Sequence, residues 1–506
     1  MTAFADPYTQ GLRFSAKGLH AEAIEQFERA LTLKPDDGRT LFALGNTARA
    51  LGMSKPAEEF YRRVLVIEPQ RLEAIVNLAN LLRAQGQFDE AEAILAPALA
   101  RHPDAPELWL TLGSTYREMG DGERAAAYYR EALARRPNYA AALGNLADLV
   151  ADSGNYDEAR VLYDRALKVE PDNAQARMNR SVLLLLTGDL KMGWRDYAAR
   201  LKLSGKVPIA DHRLPRWDGR SLKRIRLLVT AEQGVGDQIM FASMMPELTR
   251  RAAAEGGRLI LECEPRLAAL FARSFPSVEV RGWNVETRAG VARAHYDWLK
   301  SAGGANAAIE MGSLPRYLRN GIESFPSHAA YLCADLQEVH NWQTFFAELP
   351  RPLVGLCWRS GSTGGHRAMQ YAPLEVWADF IRTLPGTPVC IQYDAKDHEI
   401  AALEALSGRT ILVPTYIDQK NELDRVAALS CVLDAVVSAP TAVSWLSAAA
   451  GVATYKALYD TSWTSFGKTY EPFAPSALCM MPRARGDWAD VFAKIQAALR
   501  SQFAAD

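Results

Sequence analysis

Three short stretches of this 506-residue sequence carry residues suited to binding an anion, and each follows an apolar run typical of a strand. In the first, residues 231–238, Gly234 and Gly236 let the backbone approach a ligand at the start of a predicted helix, where N–H groups point outward. Asp237 lies in the same turn. A lone Gly-Val-Gly-Asp turn is more often a simple connection between a strand and a helix, so its function depends on the other two stretches.

The second and third stretches have the composition of phosphate-binding loops. Residues 358–365 place Arg359 among glycines and hydroxyl side chains, where a guanidinium can add a charge-assisted hydrogen bond to those of backbone N–H groups. Residues 438–442 place Thr441 and Ala442 at the start of a predicted helix, which is again an anion site. Each loop alone can be a turn, but three loops that each end a strand favour a shared function.

A 34-residue repeat organises the sequence before these loops. Its period is that of the tetratricopeptide repeat, a pair of helices. We predict five full repeats at about residues 4–173 and an atypical sixth from residue 174, in which Trp194 follows Gly193, as a capping or docking unit. The repeats form one predicted all-α superhelical domain, residues 1–203. The residues that define the period are Gly18, Gly52, Gly86, Gly120, Gly154 and Gly188, with Pro35, Pro69, Pro103, Pro137 and Pro171.

Asparagines occupy the two repeat positions that are expected to face the concave groove of the superhelix. Their spacing resembles the asparagine ladder of the O-linked N-acetylglucosamine transferase repeats, in which the amides guide an extended peptide. Asparagine suits this role because its side chain offers both a donor and an acceptor. The alternative is that these side chains are only tolerated inside the helix pairs or solvated. The candidate groove residues are Asn46, Asn77, Asn80, Asn145 and Asn179.

After a linker at residues 204–222, the pattern changes to alternating strands and helices, which predicts parallel sheets covered by helices. The alternation restarts near Pro350, so we predict two Rossmann-like lobes, residues 223–349 and 350–506, that face each other across a cleft. The uncharged run at residues 435–453 contains Pro440 and is interpreted as a strand, a turn and a helix instead of a membrane span. Predicted strands cover residues 225–229, 259–263, 278–280, 353–357, 389–392, 411–413 and 434–437.

The charge balance, the N-terminal sequence and the cysteines argue against several classes of function and location. The 58 Lys and Arg residues nearly balance 59 Asp and Glu, so the formal net charge of −1 gives no general attraction to nucleic acid or anionic membrane, although local basic patches remain open. The N-terminus lacks the basic and apolar regions of a signal peptide. Six cysteines without a Cys-x-x-Cys pair suit reduced thiols, and we therefore expect a cytoplasmic protein.

The whole arrangement resembles bacterial tetratricopeptide-repeat proteins fused to a GT-B glycosyltransferase domain of the heptosyltransferase type. The motifs that carry the resemblance are residues 231–237, 354–361, 438–443 and 486–488. In those transferases the Asp of the first-lobe turn is the base, which corresponds to Asp237. The resemblance further implies metal-independent catalysis with no cofactor, and the stretch after residue 205 contains no Asp-x-Asp. Implied donor-binding residues are Gly234, Gly236, Arg359, Ser360, Gly361, Gln392, Ser438, Thr441 and Ala442.

The third loop departs from the family pattern. Where relatives commonly have Asp-Thr-Ala followed by His, this chain has Pro440 before Thr441 and later Trp445, so a different sugar nucleotide is bound or activity is lost. Polar and aromatic residues nearby can compensate, and the aromatic block at residues 459–473 is either a plug at the sheet edge or a sugar-stacking surface. We interpret His366 as a solvated loop residue. Cys357 and Cys390 are interpreted as core thiols.

The resemblance implies a glycosyltransferase that moves a sugar from a nucleotide-sugar donor to a protein acceptor recruited by the repeats. Related fusions modify flagellin, which makes flagellin a candidate acceptor. Two other hypotheses stay open: a non-catalytic interaction scaffold with a degenerate transferase domain, and a transferase directed at lipid or polysaccharide. No nucleic-acid partner and no transmembrane segment are expected.

Overall fold

The computed structural model describes residues 6–203, 208–288, 291–301, 303–326, 330–361 and 370–504. The chain divides into two compact units, residues 1–176 and residues 177–506. The division falls within the first helix of the sixth repeat, whereas the sequence predicts a repeat domain that ends at residue 203. Most of the sixth repeat and the linker predicted at residues 204–222 therefore lie in the second unit.

The first unit consists of helices that pair as tetratricopeptide hairpins, as predicted. In these pairs a glycine on the first helix makes room for a tyrosine on the second: a methyl group added to Gly45 would lie 2.6 Å from the Tyr61 ring, and one added to Gly113 would lie 2.7 Å from the Tyr129 ring. The helices are α1 (Pro7–Ala16), α2 (His20–Leu33), α3 (Gly38–Ala50), α4 (Ser54–Ile67), α5 (Leu72–Ala84), α6 (Phe88–Arg101), α7 (Pro106–Glu118), α8 (Gly122–Arg135), α9 (Ala140–Asp152) and α10 (Tyr156–Val169).

The recurring glycines have a backbone reason. The six glycines that define the 34-residue period, from Gly18 to Gly188, all adopt φ between 74° and 87°. This left-handed conformation follows the first helix of a pair and is strained for other residues, so glycine ends the helix and turns the chain into the second. Spacing that is visible in the sequence thus fixes where each hairpin turns.

The second unit begins with the remaining helices of the sixth repeat and continues as a mixed α/β region. Its helices are α11 (Ala174–Leu186), α12 (Leu190–Tyr197), α13 (Val235–Ala242), α14 (Met245–Glu255), α15 (Ala268–Ser274), α16 (Trp298–Ser301), α17 (Pro315–Leu318), α18 (Leu336–Phe345), α19 (Leu374–Arg382), α20 (Asp397–Ser407), α21 (Leu423–Ser430), α22 (Ala442–Ala449) and α23 (Trp488–Ala504). Its strands are β1 (Ile209–Ala210), β2 (Arg226–Thr230), β3 (Arg258–Cys263), β4 (Glu279–Gly282), β5 (Val285–Arg288), β6 (Val291–Ala294), β7 (Ala307–Glu310), β8 (Leu353–Cys357), β9 (Thr387–Cys390), β10 (Ala435–Ser438), β11 (Thr454–Ala457), β12 (Tyr470–Glu471) and β13 (Ala474–Met480).

Two sheets correspond to the two predicted lobes. The first has the order β4-β3-β2-β7 and is parallel throughout. The second has the order β12-β13-β11-β10-β8-β9 and is parallel except for β12. A small third sheet has the order β1-β6-β5. Parallel sheets covered by helices place the carboxyl ends of their strands along one edge, where ligands usually bind.

Some local predictions need correction. The strand predicted at residues 411–413 is wrong, because Leu412 makes only an isolated bridge to Val389. The helical stretch that follows the first loop is two helices, α13 and α14, and Pro246 lies in the first turn of the second, where a proline is tolerated. Sequence analysis missed β1, β5, β6, β7, β11, β12 and β13. The interpretation of residues 435–453 is confirmed, since β10, a turn and α22 lie there.

The sixth repeat is part of the hydrophobic core of the second unit. Trp194 and Tyr197 on α12 are 2% exposed. Aromatic side chains from the block at residues 459–473 pack against Trp194: the ring centroids of Phe466 and Phe473 lie 5.8 and 6.1 Å away. These buried contacts correspond to the aromatic plug, one of the two alternatives for that block.

No helix in the described residues is long and apolar enough to cross a membrane. All six cysteines lie in described segments and are unpaired; Cys263, Cys357, Cys390 and Cys479 are buried, and Cys333 is exposed.

Candidate functional site

The first and third loops, one from each large sheet, meet in the second unit. The first follows β2 and leads into α13, and the third follows β10 and leads into α22. A methyl group placed on Gly236 would lie 3.5 Å from the Cα of Ala442 and 3.4 Å from the Trp445 ring. The starts of α13 and α22 are therefore close neighbours, and a methyl group at position 236 would be in ordinary van der Waals contact with α22.

Asp237 lies in the first turn of α13 and is half-buried. Its Oδ2 atom is 3.5 Å from where a side chain on Gly234 would begin, so Gly234 leaves room for the carboxylate. Tyr197 is a neighbour of this carboxylate: burial raises the pKa of the Tyr197 phenol, and the negative charge of Asp237 raises it further. Tyr197 thus stays a neutral hydroxyl close to Asp237 across the physiological range.

A buried ion pair between Arg200 and Glu232 stabilises the first loop. Arg200 is 3% exposed and Glu232 is 4% exposed, and the guanidinium donates to both carboxylate oxygens at 2.6 and 3.1 Å. The amide of Gly312 also donates to Glu232, at 2.9 Å. Beside this pair, Gln233 donates to the Tyr197 hydroxyl at 2.9 Å. Because Arg200 and Tyr197 come from the end of the sixth repeat, that repeat directly holds the loop that carries Asp237.

The amide of Gln392 organises the second loop. Its Oε1 accepts hydrogen bonds from the backbone N–H groups of Trp358 and Arg359, both at 3.0 Å. These two donors fix the orientation of the amide, so its Nε2 group points the other way. That Nε2 atom is buried and has no hydrogen-bond partner in the described protein. An unused buried donor is costly, and a ligand oxygen would satisfy it.

Hydroxyl and thiol groups surround Gln392 at the carboxyl ends of β8 and β10. Cys357 Sγ lies 3.5 Å from Gln392 Oε1 and 3.6 Å from Thr441 Oγ1. Ser438 Oγ lies 3.4 Å from Thr441 Oγ1. Burial raises the pKa of the Cys357 thiol to about 11, so this group is neutral and is not a nucleophile at neutral pH. The structure therefore brings together Gln392, Ser438 and Thr441, as the sequence predicts for one site.

Arg359 lies in the second loop but is already paired. Its guanidinium donates to both carboxylate oxygens of Glu399 at 2.5 and 2.6 Å, and to the backbone oxygen of Asp394 at 2.7 Å. Sequence analysis missed Glu399, which lies 40 residues further along the chain. A contact between Arg359 and a phosphate stays a prediction.

The rest of the second loop has local partners. Ser360 Oγ accepts a hydrogen bond from Tyr371 at 2.7 Å, and the Gly361 amide donates to the Tyr393 hydroxyl. Residues 362–365 of this loop, and His366 beside it, lie outside the described residues.

Trp445, at the position where the resemblance to glycosyltransferases leads us to expect His, contacts a buried lysine. The ammonium group of Lys456 lies 4.3 Å from the Trp445 ring centroid, within the range of a cation–π contact. Lys456 is 2% exposed and is ion-paired with Glu471, which is 0% exposed. β11 also contains Thr454 and Tyr455, and β12 consists of Tyr470 and Glu471 alone, so the sequence gives no distinct signal for this pair.

A second buried carboxyl that the sequence analysis missed lies under the start of the first loop. Glu262 is 0% exposed, and its Oε2 accepts hydrogen bonds from the Ala231 amide at 3.2 Å and the Tyr296 hydroxyl at 3.0 Å. Burial raises the pKa of Glu262 to about 7, although both hydrogen bonds oppose the shift. In the described part of the chain, no group of three or more His, Cys, Asp or Glu side chains could hold a metal ion.

The predicted asparagine ladder makes contacts between neighbouring repeats. Asn46 Oδ1 accepts hydrogen bonds from Tyr61 at 2.8 Å and from Asn77 at 2.9 Å. Two repeats later, Ser114 Oγ accepts from Tyr129 at 3.3 Å and from Asn145 at 3.4 Å. Asn80 accepts from Arg83 at 3.2 Å, and Asn179 is half-buried on α11 in the second unit. Apart from the Asn80–Arg83 bond, which lies within α5, these bonds join helices within and between repeats, and peptide binding by the ladder stays a prediction.

Comparisons with known proteins identify the repeats. Two tetratricopeptide-repeat family models match the chain, one over residues 8–71 and 76–140 and the other over residues 116–191. Among curated proteins, the chain is similar to Protein FlbA of Caulobacter vibrioides, with 33% identity over 323 residues, which are 63% of this chain and 54% of FlbA. The chain thus spans about half the length of the curated relative it matches. Because the matched length exceeds the 176 residues of the first unit, the similarity includes part of the α/β unit.

Solved structures with similar folds cover about a third of the chain. TTC0263 of Thermus thermophilus, a tetratricopeptide-repeat protein, has 28% identity and a TM-score of 0.32, and the match covers 35% of this chain and 97% of TTC0263. MamA has 24% identity and a TM-score of 0.29, with 33% of this chain and 96% of MamA covered. The chain thus carries tetratricopeptide repeats within residues 8–191 and is similar to FlbA over 63% of its length, and an α/β region follows the repeats.

Proposed function

We propose that this protein is a GT-B-type glycosyltransferase that moves a sugar from a nucleotide-sugar donor to a protein acceptor recruited by the repeats. The observation that carries the proposal is the meeting of the two loops at Gly236 and Ala442. It brings a half-buried carboxylate, Asp237, near the start of α22, where Thr441 and the unused amide donor of Gln392 lie. A base on one side and anion-binding groups on the other are what transfer from a nucleotide requires.

In the proposed reaction, Asp237 takes the proton of an acceptor hydroxyl while that oxygen forms a bond to the anomeric carbon. A positioned general base contributes about 10²–10⁴-fold to the rate of such a step. The bond between the anomeric carbon and the phosphate oxygen breaks, and its electron pair leaves with the nucleotide. The first amides of α22, the Thr441 hydroxyl and Gln392 Nε2 are then available as hydrogen-bond donors to the negative charge that develops.

Arg359 acts differently in this proposal from the role that the resemblance implies. Its charge is neutralised by Glu399, so it holds the second loop in place, and the phosphate is bound mainly by neutral donors. Stacked repeats present an extended surface suited to polypeptides, which supports a protein acceptor. Flagellin, the acceptor of related fusions, is the first candidate to test.

The test is transfer by the purified full-length protein, with a panel of sugar nucleotides and with flagellin first among the acceptors. Asp237→Asn should lower the transfer rate by about 10²–10⁴-fold and leave donor affinity nearly unchanged. Asp218→Asn is a matched control, because Asp218 is an exposed carboxylate that pairs with exposed Arg220. Equal transfer rates for wild type and Asp237→Asn would show that Asp237 is not the general base. A wild-type protein that binds no nucleotide sugar would refute the whole proposal.

A non-catalytic scaffold is the second candidate. The pairing of Arg359 with Glu399 and the position of Trp445 over Lys456 favour it, since both occupy side chains that a donor could otherwise contact. Calorimetry with nucleotides separates the two functions: a scaffold with a degenerate cleft gives neither binding heat nor nucleotide release, whereas the transferase gives both.

A further inference from the structure

Basic residues concentrate at one edge of the first large sheet, away from the loops described above. The segment from Arg213 to Arg226 contains six Lys or Arg residues and one Asp, in a protein whose formal net charge is −1. It leads into the start of β2, while the loop with Asp237 follows the end of β2. Because a strand rises about 3.3 Å per residue, the two ends of β2 are roughly 13 Å apart.

Backbone contacts bring further cations to the same edge. Arg226 at the start of β2 pairs in register with Arg258 at the start of β3, and the Arg258 amide donates to the Ile225 oxygen at 2.9 Å. Arg251 on α14 donates to the backbone oxygens of residues 219 and 220 at 3.0 Å. This contact places α14, including its neighbouring Arg250, beside the basic segment. The basic edge is defined by Arg220, Lys223, Arg224, Arg226, Arg250, Arg251 and Arg258.

Only part of this charge is neutralised within the protein. Arg226 pairs with Glu279 at 2.5 Å, Arg251 with Glu255 at 2.9 Å and Arg220 with Asp218 at 2.9 Å. In the segment before the edge, Arg213 and Arg216 pair with Asp211 and Glu310. Four other cations are exposed and make no ion pair within the described part of the chain: Lys223, Arg224, Arg250 and Arg258. Their separation from acidic side chains leaves a local positive field that the overall charge of the protein does not reveal.

The side chains and secondary structure around the cations indicate which class of negatively charged partner the basic edge can bind. Residues 210–288 are all described, and none of their large apolar side chains is exposed. Protein interfaces usually need buried aromatic or apolar anchors, and single-stranded nucleic acid needs exposed rings on which bases stack. The edge is formed by strand starts, a loop and the part of α14 that carries Arg250 and Arg251, and Arg251 is held against the backbone of residues 219 and 220. Binding of a duplex by α14 in the major groove is the competing outcome of the test below.

We propose that the basic edge binds the surface of an anionic lipid bilayer by electrostatic attraction. Exposed Lys and Arg side chains interact with acidic headgroups without needing apolar insertion, and the effect adds up over the cluster. Bound in this way, the protein would keep the opposite end of β2 and the candidate site accessible. This proposal does not depend on the glycosyltransferase activity.

The experiment measures partitioning of the full-length protein onto vesicles. Vesicles of phosphatidylcholine with 30% phosphatidylglycerol, at roughly 0.1 M salt, should bind the protein, and pure phosphatidylcholine vesicles should not. Lys223→Glu/Arg250→Glu/Arg258→Glu should weaken partitioning at least about 100-fold, because each removed cation is worth about 5-fold and each added carboxylate repels the surface. Arg224 is kept because its φ is 59°.

Matched variants keep the result interpretable. Lys17→Glu/Lys55→Glu/Arg130→Glu changes the net charge equally at exposed positions elsewhere and should bind like wild type. The milder Lys223→Gln/Arg258→Gln, with an unchanged melting curve, should bind about 25-fold more weakly. Equal binding by all variants, or wild-type binding to neutral vesicles, would overturn the proposal. Tighter binding to a duplex oligonucleotide than to acidic vesicles at the same salt would also overturn it.

Discussion

The first and second loops are each supported by an Arg–Glu ion pair, but the loop contributes the Glu in the first case and the Arg in the second. In the first loop the acid, Glu232, belongs to the loop, and Arg200 reaches it from the end of the sixth repeat. In the second loop the cation, Arg359, belongs to the loop, and Glu399 reaches it from α20 in the same lobe. In each loop an Arg–Glu ion pair therefore neutralises one charged loop residue, Glu232 in the first and Arg359 in the second, and Asp237 is the carboxylate of the first loop that lies outside this pair.

The two loops differ in what they depend on. The first is held by a segment of the repeat array, and its Arg–Glu pair is almost fully buried, whereas Arg359 and Glu399 keep 12% and 10% of their side chains exposed. The loops also differ in the side chain that accepts hydrogen bonds from their backbone N–H groups. Glu262, a titratable carboxyl, accepts from Ala231, and Gln392, a neutral amide, accepts from Trp358 and Arg359. Near neutral pH, where Glu399 stays ionised, only the first loop should therefore respond to pH, and only the first loop should respond to changes in the last repeat.

Removing Arg200 should have the largest effect on stability. Arg200→Met leaves Glu232 buried without its counter-charge, which should lower the free energy of unfolding of the α/β unit by about 3–5 kcal/mol. Urea unfolding followed by tryptophan fluorescence measures this change. Arg200→Met/Glu232→Gln should lose less, because no unpaired charge remains buried, and Arg130→Met at an exposed position should lose almost nothing. A double variant as unstable as Arg200→Met would contradict the buried-charge explanation.

Glu262→Gln should remove the contribution of the first loop to the pH dependence of the free energy of unfolding, because the group that accepts from Ala231 then becomes a neutral amide, as Gln392 is in the second loop. The folded-state pKa of Glu262, about 7, lies above its ordinary value near 4.5, so the protonated form is favoured in the folded state. The stability that this group contributes is fully present below pH 4.5 and is lost as the pH rises through 7, by about 3 kcal/mol in total. Glutamine keeps the acceptor oxygen and does not ionise.

The measurement is the free energy of unfolding at pH 5 and pH 8. Wild type should lose stability between these pH values through this group, and Glu262→Gln should lose less. Tyr296→Phe is the matched control, because it removes a hydrogen bond to the same carboxyl and keeps the ionisable group. Parallel pH profiles for wild type and Glu262→Gln would show that Glu262 is ionised in the folded protein at both pH values.

Arg359→Met should cost about 1–3 kcal/mol, less than Arg200→Met, because Glu399 keeps other partners and some contact with solvent. The same variant decides whether Arg359 contacts a donor. Glu399→Gln weakens the ion pair but leaves the guanidinium in place. If Arg359 only supports the loop, both variants should reduce nucleotide affinity to a similar extent; a loss of tenfold or more in Arg359→Met alone would assign a direct contact. Isothermal calorimetry with nucleotide sugars makes the comparison.

The sequence predicts local and periodic features well, because their causes lie within a few residues. Glycine at the hairpin turns follows from its backbone conformation, and the strand–loop–helix order around Asp237 and Thr441 follows from apolar runs next to glycines and hydroxyl residues. The pairing of Arg359 with Glu399 was not predictable, because it depends on how α20 packs. The same holds for Arg200 and Glu232, where the partner is 32 residues away in a repeat that the sequence assigns to another domain.

The smallest predicted effect concerns the second loop alone. Tyr393→Phe removes the hydroxyl that accepts a hydrogen bond from the Gly361 amide, and the net loss should be about 0.5–1.5 kcal/mol. Because Gly361 is exposed, water can replace the hydroxyl, and the loss should stay near the lower value. Amide hydrogen exchange should therefore speed up at Gly361 and remain unchanged at Ala231 in the first loop. Tyr371→Phe, which removes the bond to Ser360, is the matched control for a lost phenol that leaves this amide untouched. Faster exchange in both loops would mean that they open together as one unit, in which case the separate supports described for them would not act independently.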